Sequence, residues 1–405
     1  MTRSTSLIHH PYKPPSEFEA IQTGVHKAST VIFPNVAAMR SREWIDKSAY
    51  TYGLHGTPTT FTLEERLATL EGGTHCILTP SGLAAIAHVD FALLKAGDEV
   101  LIPDNAYAPN KSLAEGELTN FGITHQIYDA LDVNDLAARI TERTRLVWLE
   151  AAGSVTMEFP DLVAMVQLCQ SRGVLCALDN TWGAGLAFNA FDLTPGKGKL
   201  SVDLTIHALT KYPSGGGDIL MGSIVTHSDE LARVLKLSHM RLGTGVGAND
   251  AEIILRSLHS MEMRYRAQDQ AARSLATWCS SQPAMSQVLH PALSDGPGHQ
   301  HWRQVCVTTE EPDGLAAGIF SVVMNERYTS AQIDAFCDAL KLFKIGYSWG
   351  GPVSLVMLYN MTASRSRSTS HMKRGRLVRF CIGLENVTDL QMDISQAIKI
   401  AKLDQ

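Results

Sequence analysis

Lys211 stands just past a short apolar run, 202–206, between Thr210 and Tyr212, and Pro213 followed by Gly215, Gly216 and Gly217 ends regular structure behind it. A lysine at the end of a strand with apolar neighbours is open to a lowered pKa and hence to Schiff-base chemistry, although a surface lysine at a loop start is the commoner case. Four other features bear on which it is. Ser81, Gly82 and Leu83 open a helix, where free N–H groups and the helix dipole can hold a phosphate; small residues also begin helices for packing reasons. Asp179 follows the apolar run 174–178 and needs a cationic partner, which a protonated heterocyclic nitrogen, an arginine or a helix N-terminus could each supply. Tyr107, just past the run 100–102, can stack on a flat ring or simply pack. Arg379 lies inside the apolar run 377–382, where a guanidinium calls for a carboxylate, either a substrate's or a neighbouring Asp or Glu.

Taken together these are a phosphate cradle, an anion beneath a ring nitrogen, a stacking aromatic, a Schiff-base lysine and a carboxylate-binding arginine. That combination is what pyridoxal 5'-phosphate (PLP) requires of a protein. Competing chemistries lack their elements. The fifteen histidines are scattered with no HExxH or comparable ligand spacing, so no metal site is expected. Gly215–Gly217 is not a GxGxxG opening a helix after a first strand, as a dinucleotide-binding dehydrogenase would need.

The elements that must position these residues alternate. Thr62 and Glu65 match a capping box, with Leu63, Leu67 and Leu70 at helical spacing up to Gly72 and Gly73. Short apolar strands are expected at 76–79, 97–103, 145–150, 174–178, 202–206 and 219–225, with helices between them at 81–95 and about 160–172. Continuous apolar strands separated by helices imply a mostly parallel sheet covered on both faces. A long helical pattern over 248–279 reads as a spine. Beyond it, strands at 317–323, 354–358 and 377–382 interleave with helices at about 329–343 and 388–402. The expected organisation is an irregular N-terminal arm, 1–60, an α/β domain over 61–258 that binds the cofactor, and a smaller C-terminal α/β domain over 259–405. The polar, basic segment 364–376 reads as a solvated loop, and 194–199 as a loop insertion without an assigned role.

At 405 residues with 45% hydrophobic and 19% charged residues, the composition is that of a soluble globular protein. A formal net charge of -6 gives no electrostatic case for nucleic acid or an anionic membrane. No apolar run approaches the ~20 residues of a membrane span, residues 1–15 carry no apolar signal-peptide core, and seven cysteines without CxxC spacing read as reduced thiols. A cytoplasmic location is the expectation.

The stretches 52–58 (Tyr-Gly-Leu-His-Gly-Thr-Pro), 70–73 (Leu-Glu-Gly-Gly), 80–82, 104–109, 154–158, 179–182 (Asp-Asn-Thr-Trp), 210–212 (Thr-Lys-Tyr), 347–351 (Tyr-Ser-Trp-Gly-Gly) and 378–385 resemble the Cys/Met-metabolism family of PLP enzymes over almost the whole chain. Ser-Trp-Gly-Gly is similar to the β-lyases of that family, whereas γ-lyases and γ-synthases more usually carry Ser-Leu-Gly-Gly. The resemblance implies an aminotransferase-like (fold type I) α/β architecture. It implies that Lys211 carries PLP and serves as catalytic base, that Asp179 pairs with the pyridine nitrogen, and that Tyr107 stacks on the ring and assists proton transfer. Ser81, Gly82, Leu83 and Thr210 would hold the phosphate, with Tyr52 reaching in from a neighbouring subunit of a homotetramer built from dimers. Ser348, Trp349 and Arg379 would surround the substrate α-carboxylate. The implied activity is carbon–sulfur β-elimination, foremost from cystathionine to homocysteine, pyruvate and ammonia. Cysteine, another S-substituted cysteine, and γ-elimination or γ-replacement are the alternatives.

Three positions depart from the family pattern. Leu54 stands where an arginine commonly helps bind phosphate, and His55 stands where some β-lyases place an arginine suited to the distal end of cystathionine. Glu150 is followed by Ala151 and Ala152 in place of a Ser-Pro pair.

Overall fold

In a computed structural model the described residues are Thr5, 20–361 and 371–404. Part of the basic segment, 364–370, and residues 6–19 of the arm lie outside them. A seven-stranded sheet is ordered β1-β7-β6-β5-β4-β2-β3. Its strands are β1 (His75–Thr79), β2 (Glu99–Pro103), β3 (Thr124–Tyr128), β4 (Thr144–Glu150), β5 (Leu175–Asp179), β6 (Leu204–Ala208) and β7 (Gly222–Thr226). All neighbours pair in parallel except those of β7, which runs antiparallel to both β1 and β6. Every residue of β2 and β7 is buried, as strands covered on both faces require.

The helices that cover this sheet are α2 (Pro58–Glu71), α3 (Gly82–Leu93), α4 (Ala108–Leu113), α5 (Val133–Arg139), α6 (Leu162–Arg172) and α7 (Asp229–Leu242); a short α1 (Val36–Ser41) lies in the arm. The described part of the arm is otherwise irregular, tied down by a single antiparallel bridge between Thr30 and Tyr52 and by Thr59, whose hydroxyl donates to Gly24 O and accepts from the His26 N–H.

The spine expected over 248–279 is two helices, α8 (Ala248–Leu258) and α9 (Met261–Ser280). Arg264 accounts for the break. Its guanidinium takes the Ser257 carbonyl and hydroxyl at 3.1 and 2.9 Å and the Tyr212 carbonyl at 2.8 Å. Gly215 packs into the same corner with φ +74°; a Cβ there would lie 2.3 Å from Ser257 Oγ, so the glycine is needed for both conformation and space. The glycine triplet is thus a tight turn behind Lys211.

The second sheet, ordered β10-β11-β12-β9-β8, contains β8 (Met285–Leu289), β9 (Ile319–Met324), β10 (Lys344–Ile345), β11 (Leu355–Tyr359) and β12 (Leu377–Cys381). Its pairings are antiparallel apart from β10 with β11. Helices α10 (His299–Cys306), α11 (Ser330–Ala339) and α12 (Val387–Ile400) accompany it. One hydrophobic cluster lies within the first sheet's layer (Val100, Ile102, Trp148, Ile206) and one within the second's (Phe320, Phe336, Phe380, Ile394). A third runs from Val147 and Leu178 to Ile319, Val323 and Leu377 and so joins the two layers.

The architecture is the α/β fold expected, with several local differences. Strands β3, β8 and β10 were not expected, because their polar or very short sequences carry no continuous apolar signal. All seven cysteines are buried and unpaired. Among the described residues no helix is long and apolar enough to cross a membrane, and no cluster of ligating side chains could hold a metal.

The start of α2 lies a full turn earlier than the Thr62/Glu65 pattern suggests. Thr57 caps it, accepting from Thr60 N, while Thr60 Oγ1 accepts from Thr57 N at 2.9 Å. Pro58 at the first helical position favours this earlier start. Thr62 instead turns its hydroxyl back to the Pro58 carbonyl at 2.7 Å. Thr57→Ala is therefore expected to lower stability by about 1 kcal/mol and Thr62→Ala by less than about 0.5 kcal/mol, measured by denaturant unfolding. Equal effects would mean that the cap is misplaced.

Candidate active site

The C-terminal ends of β2, β4, β5 and β6 open on one side of the first sheet. A cavity of about 610 Å³ lies there, closed from the other side by residues of the second sheet and its loops. Ser81, Gly82, Leu83, Tyr107, Asp179, Thr210, Lys211, Trp349 and Arg379 all line it. Residues spread over nearly three hundred positions thus converge where open α/β sheets place their sites.

The start of α3 forms one end. Ser81 is its N-cap, accepting from Ala84 N at 3.0 Å. The N–H groups of Gly82 and Leu83 lie in the first turn, where helix geometry leaves them no intrahelical acceptor. A Cβ on Gly82 would come within 2.6 Å of the Ala208 side chain, so only glycine lets the helix start sit this close to the end of β6. Thr210 faces the same region.

Lys211 occupies the turn after β6, its N–H bonded to Ala208 O at 3.1 Å. Its Nζ donates to Ser348 Oγ at 3.0 Å and sits 5.3 Å from the centre of the Trp349 ring. Burial, reinforced by the nearby Arg379 charge, brings its pKa down to about 8.

Asp179 ends β5 and accepts from Thr181 N at 3.0 Å. It makes no ion pair among the described residues, and burial holds its pKa above the ordinary aspartate value. Behind it runs a buried chain that sequence reading did not identify. Glu71, at the end of α2, accepts from Asn180 Nδ2 at 2.7 Å and lies 2.9 Å from His207 Nδ1. The signal for it was the Leu70-Glu71-Gly72-Gly73 stretch, noticed as a motif without a role.

Tyr107 begins α4, half-exposed, and its N–H donates to Glu150 Oε2 at 2.7 Å. Glu150 ends β4 directly opposite Asp179 in the parallel register. Burial, with Asp179 alongside, holds its pKa above the ordinary glutamate value, while the Ser154 and Tyr107 hydrogen bonds favour the carboxylate. Glu150 could have been found by the rule applied to Asp179, a carboxylate at the C-terminal end of an apolar strand.

Arg379, on β12, is only 3% exposed. Its Nη1 and Nη2 donate to the Ser154 and Tyr347 carbonyls at 2.9 and 3.2 Å, and it lies 5.1 Å from the Tyr359 ring centre. Among the described residues no Asp or Glu pairs with it, and its Nε is buried without a partner. A buried guanidinium held by neutral groups, the two carbonyls, the Cys381 side chain and the Tyr359 ring, is suited to an anion.

Two expected residues lie elsewhere. Tyr52, 44% exposed, accepts a hydrogen bond from Ser29 Oγ. His55 contacts Thr51 through Nδ1 and the Trp44 ring at 4.9 Å. Neither lines this chain's cavity.

The residues present suit PLP. The free N–H groups of Gly82 and Leu83 fit a phosphate, the Asp179 carboxylate fits a protonated ring nitrogen, and the Lys211 amine and Arg379 line the same cavity.

Comparison with known proteins agrees. The model of the family described as Cys/Met metabolism PLP-dependent enzyme matches residues 4–399. The cystathionine beta-lyase of Bordetella avium is 34% identical over 97% of this chain and 96% of its own length. The L-alanine/L-glutamate racemase of Wolbachia pipientis wMel is 31% identical, covering 92% and 91%. The crystal structure of metB from Corynebacterium glutamicum superposes with a TM-score of 0.82 at 26% identity, covering 98% of this chain and 97% of that one. The chain belongs to the Cys/Met metabolism family of PLP-dependent enzymes.

Proposed function

We propose that the protein is a carbon–sulfur β-lyase whose foremost substrate is cystathionine, cleaved to homocysteine, pyruvate and ammonia. The observation that carries this reading is the convergence of Lys211, Asp179 and the unpaired Arg379 on one cavity. Lys211 would hold PLP covalently, Asp179 would pair with its ring nitrogen and Tyr107 would stack on the ring, while Ser81, Gly82, Leu83 and Thr210 take the phosphate. Bound PLP supplies a conjugated ring that accepts the charge developing at the substrate's Cα.

The chain's own residues do the rest. Arg379 binds the α-carboxylate with the N–H groups its carbonyl partners leave free, supported by Ser348 and Trp349. The Lys211 amine, freed when the substrate's amino group takes its place, would remove the Cα proton, and Lys211 or Tyr107 would return a proton to the departing thiolate. Trp349 in the Ser-Trp-Gly-Gly stretch favours β- over γ-elimination. We place the cofactor in the 61–258 domain and the carboxylate clamp in the 259–405 domain. The exposed Ile21 and Ile32, at 95% and 89%, suit an arm that packs on a neighbouring subunit, within a homotetramer in which Tyr52 and His55 serve that neighbour's site.

Incubation with L-cystathionine, L-cysteine, L-methionine and L-alanine separates the chemistries. Pyruvate from the first two is expected, with the thiol homocysteine from L-cystathionine and sulfide from L-cysteine. 2-Oxobutyrate as the main keto acid would sink the β-assignment, and D-alanine without keto acid would favour the racemase named among the relatives. Lys211→Ala is expected to lower turnover by about 10³-fold or more.

Burial disfavours the Lys211 ammonium, so the neutral amine grows in as pH rises through about 8. In protein stripped of cofactor, an amine-reactive reagent should label Lys211 with a half-maximal rate near that pH. A midpoint in the ordinary lysine range would show a solvated amine and remove the basis for its role.

A further inference from the structure

Glu150 has no part in the chemistry above, yet it sits where the site's two walls meet. Its Oε2 accepts from Tyr107 N at 2.7 Å, fixing the turn that carries the aromatic wall. Its Oε1 accepts from Ser154 N at 3.0 Å and also from Ser154 Oγ. The carbonyl of that same Ser154 accepts from Arg379 Nη1 at 2.9 Å. The next residue is tied across as well, since Ser321 Oγ on β9 donates to Val155 O at 2.6 Å, and Ser321 is the register partner of Arg379. One buried carboxylate therefore takes three donors and spans from the first sheet's aromatic wall to the loop that holds the second sheet's guanidinium. Space around this loop is tight: a Cβ on Gly153 would lie 2.6 Å from Asn105 Nδ2.

We infer that Glu150 is a positioning residue, its two oxygens setting the Tyr107 ring and the Arg379 guanidinium at a fixed separation so that cofactor and substrate carboxylate are held in register. The inference rests on the roles proposed above for Tyr107 and Arg379. Losing the Ser154 anchor leaves Arg379 with an untethered carbonyl partner. Losing the Tyr107 anchor frees the turn before α4.

The test uses PLP-loaded wild type, Glu150→Gln and Glu150→Ala, with two readouts that need no turnover: the circular dichroism of the bound cofactor, and the dissociation constant of L-alanine from a spectral titration. In Glu150→Gln the amide oxygen can serve Ser154's two donors while the NH₂ opposes the Tyr107 N–H. Altered dichroism with a nearly unchanged dissociation constant is expected. Glu150→Ala should alter the dichroism and raise the dissociation constant by about 10- to 100-fold, the size of one lost charge-assisted contact. A merely structural role would lower the cofactor-loaded fraction but leave dichroism per bound cofactor and the dissociation constant as in wild type, which would overturn the inference. Should Glu150→Ala not fold, unchanged dichroism in Glu150→Gln overturns it alone. Absence of cystathionine cleavage by wild type would overturn the proposed function and leave these readouts standing.

Discussion

The cost of burying charge governs this structure more than any other interaction. A guanidinium, an amine and two carboxylates line one cavity, where burial weakens the hydration that would stabilise each of them singly. Their arrangement keeps the cost within bounds. Arg379 rests on carbonyl dipoles, Asp179 and Glu150 accept backbone N–H groups, and Lys211 leans on a hydroxyl and an aromatic face. Each has some polar support, and among the described residues none of Arg379, Asp179 and Lys211 has an ionic partner. What burial withholds, a bound anion, a ring nitrogen and an aldehyde can supply.

The sheet topology explains how these groups meet. Parallel strands deliver successive C-terminal ends to one edge, which brings Glu150 and Asp179 side by side and Lys211 one strand further on. The antiparallel β7 closes the run and carries the chain back past the start of α3. The second sheet contributes Arg379 from the middle of a buried strand, a more rigid mount than a loop.

Much of this was legible in the sequence because burial leaves a compositional trace. Lys211, Asp179 and Arg379 each stood out as charges against apolar runs, and Ser81-Gly82 as small residues between a strand and a helix. The less legible parts have physical reasons. Thr62 and Glu65 have the spacing of a capping box, but Thr57-Pro58 upstream supplies a stronger start. The break between α8 and α9 depends on Arg264 bonding to Tyr212, fifty-two positions away, which no local periodicity records. Glu71 and Glu150 act on backbone and neighbouring side chains within the interior, so their purpose appears only when the strands are laid side by side. Tyr52 and His55 lie away from the cavity of their own chain; the expected place of Tyr52 is a neighbouring subunit's site, while that of His55 is near the substrate.

The hydrophobic cluster shared between the two sheets, together with the carbonyls of Ser154 and Val155 pinned by Arg379 and Ser321, makes the seam between the layers part of the site itself. Separating the two layers would break the Arg379–Ser154 and Ser321–Val155 hydrogen bonds together with that shared apolar packing. Tolerance to change is shaped accordingly. A substitution that loosens the seam therefore also disturbs the carbonyl on which Arg379 rests.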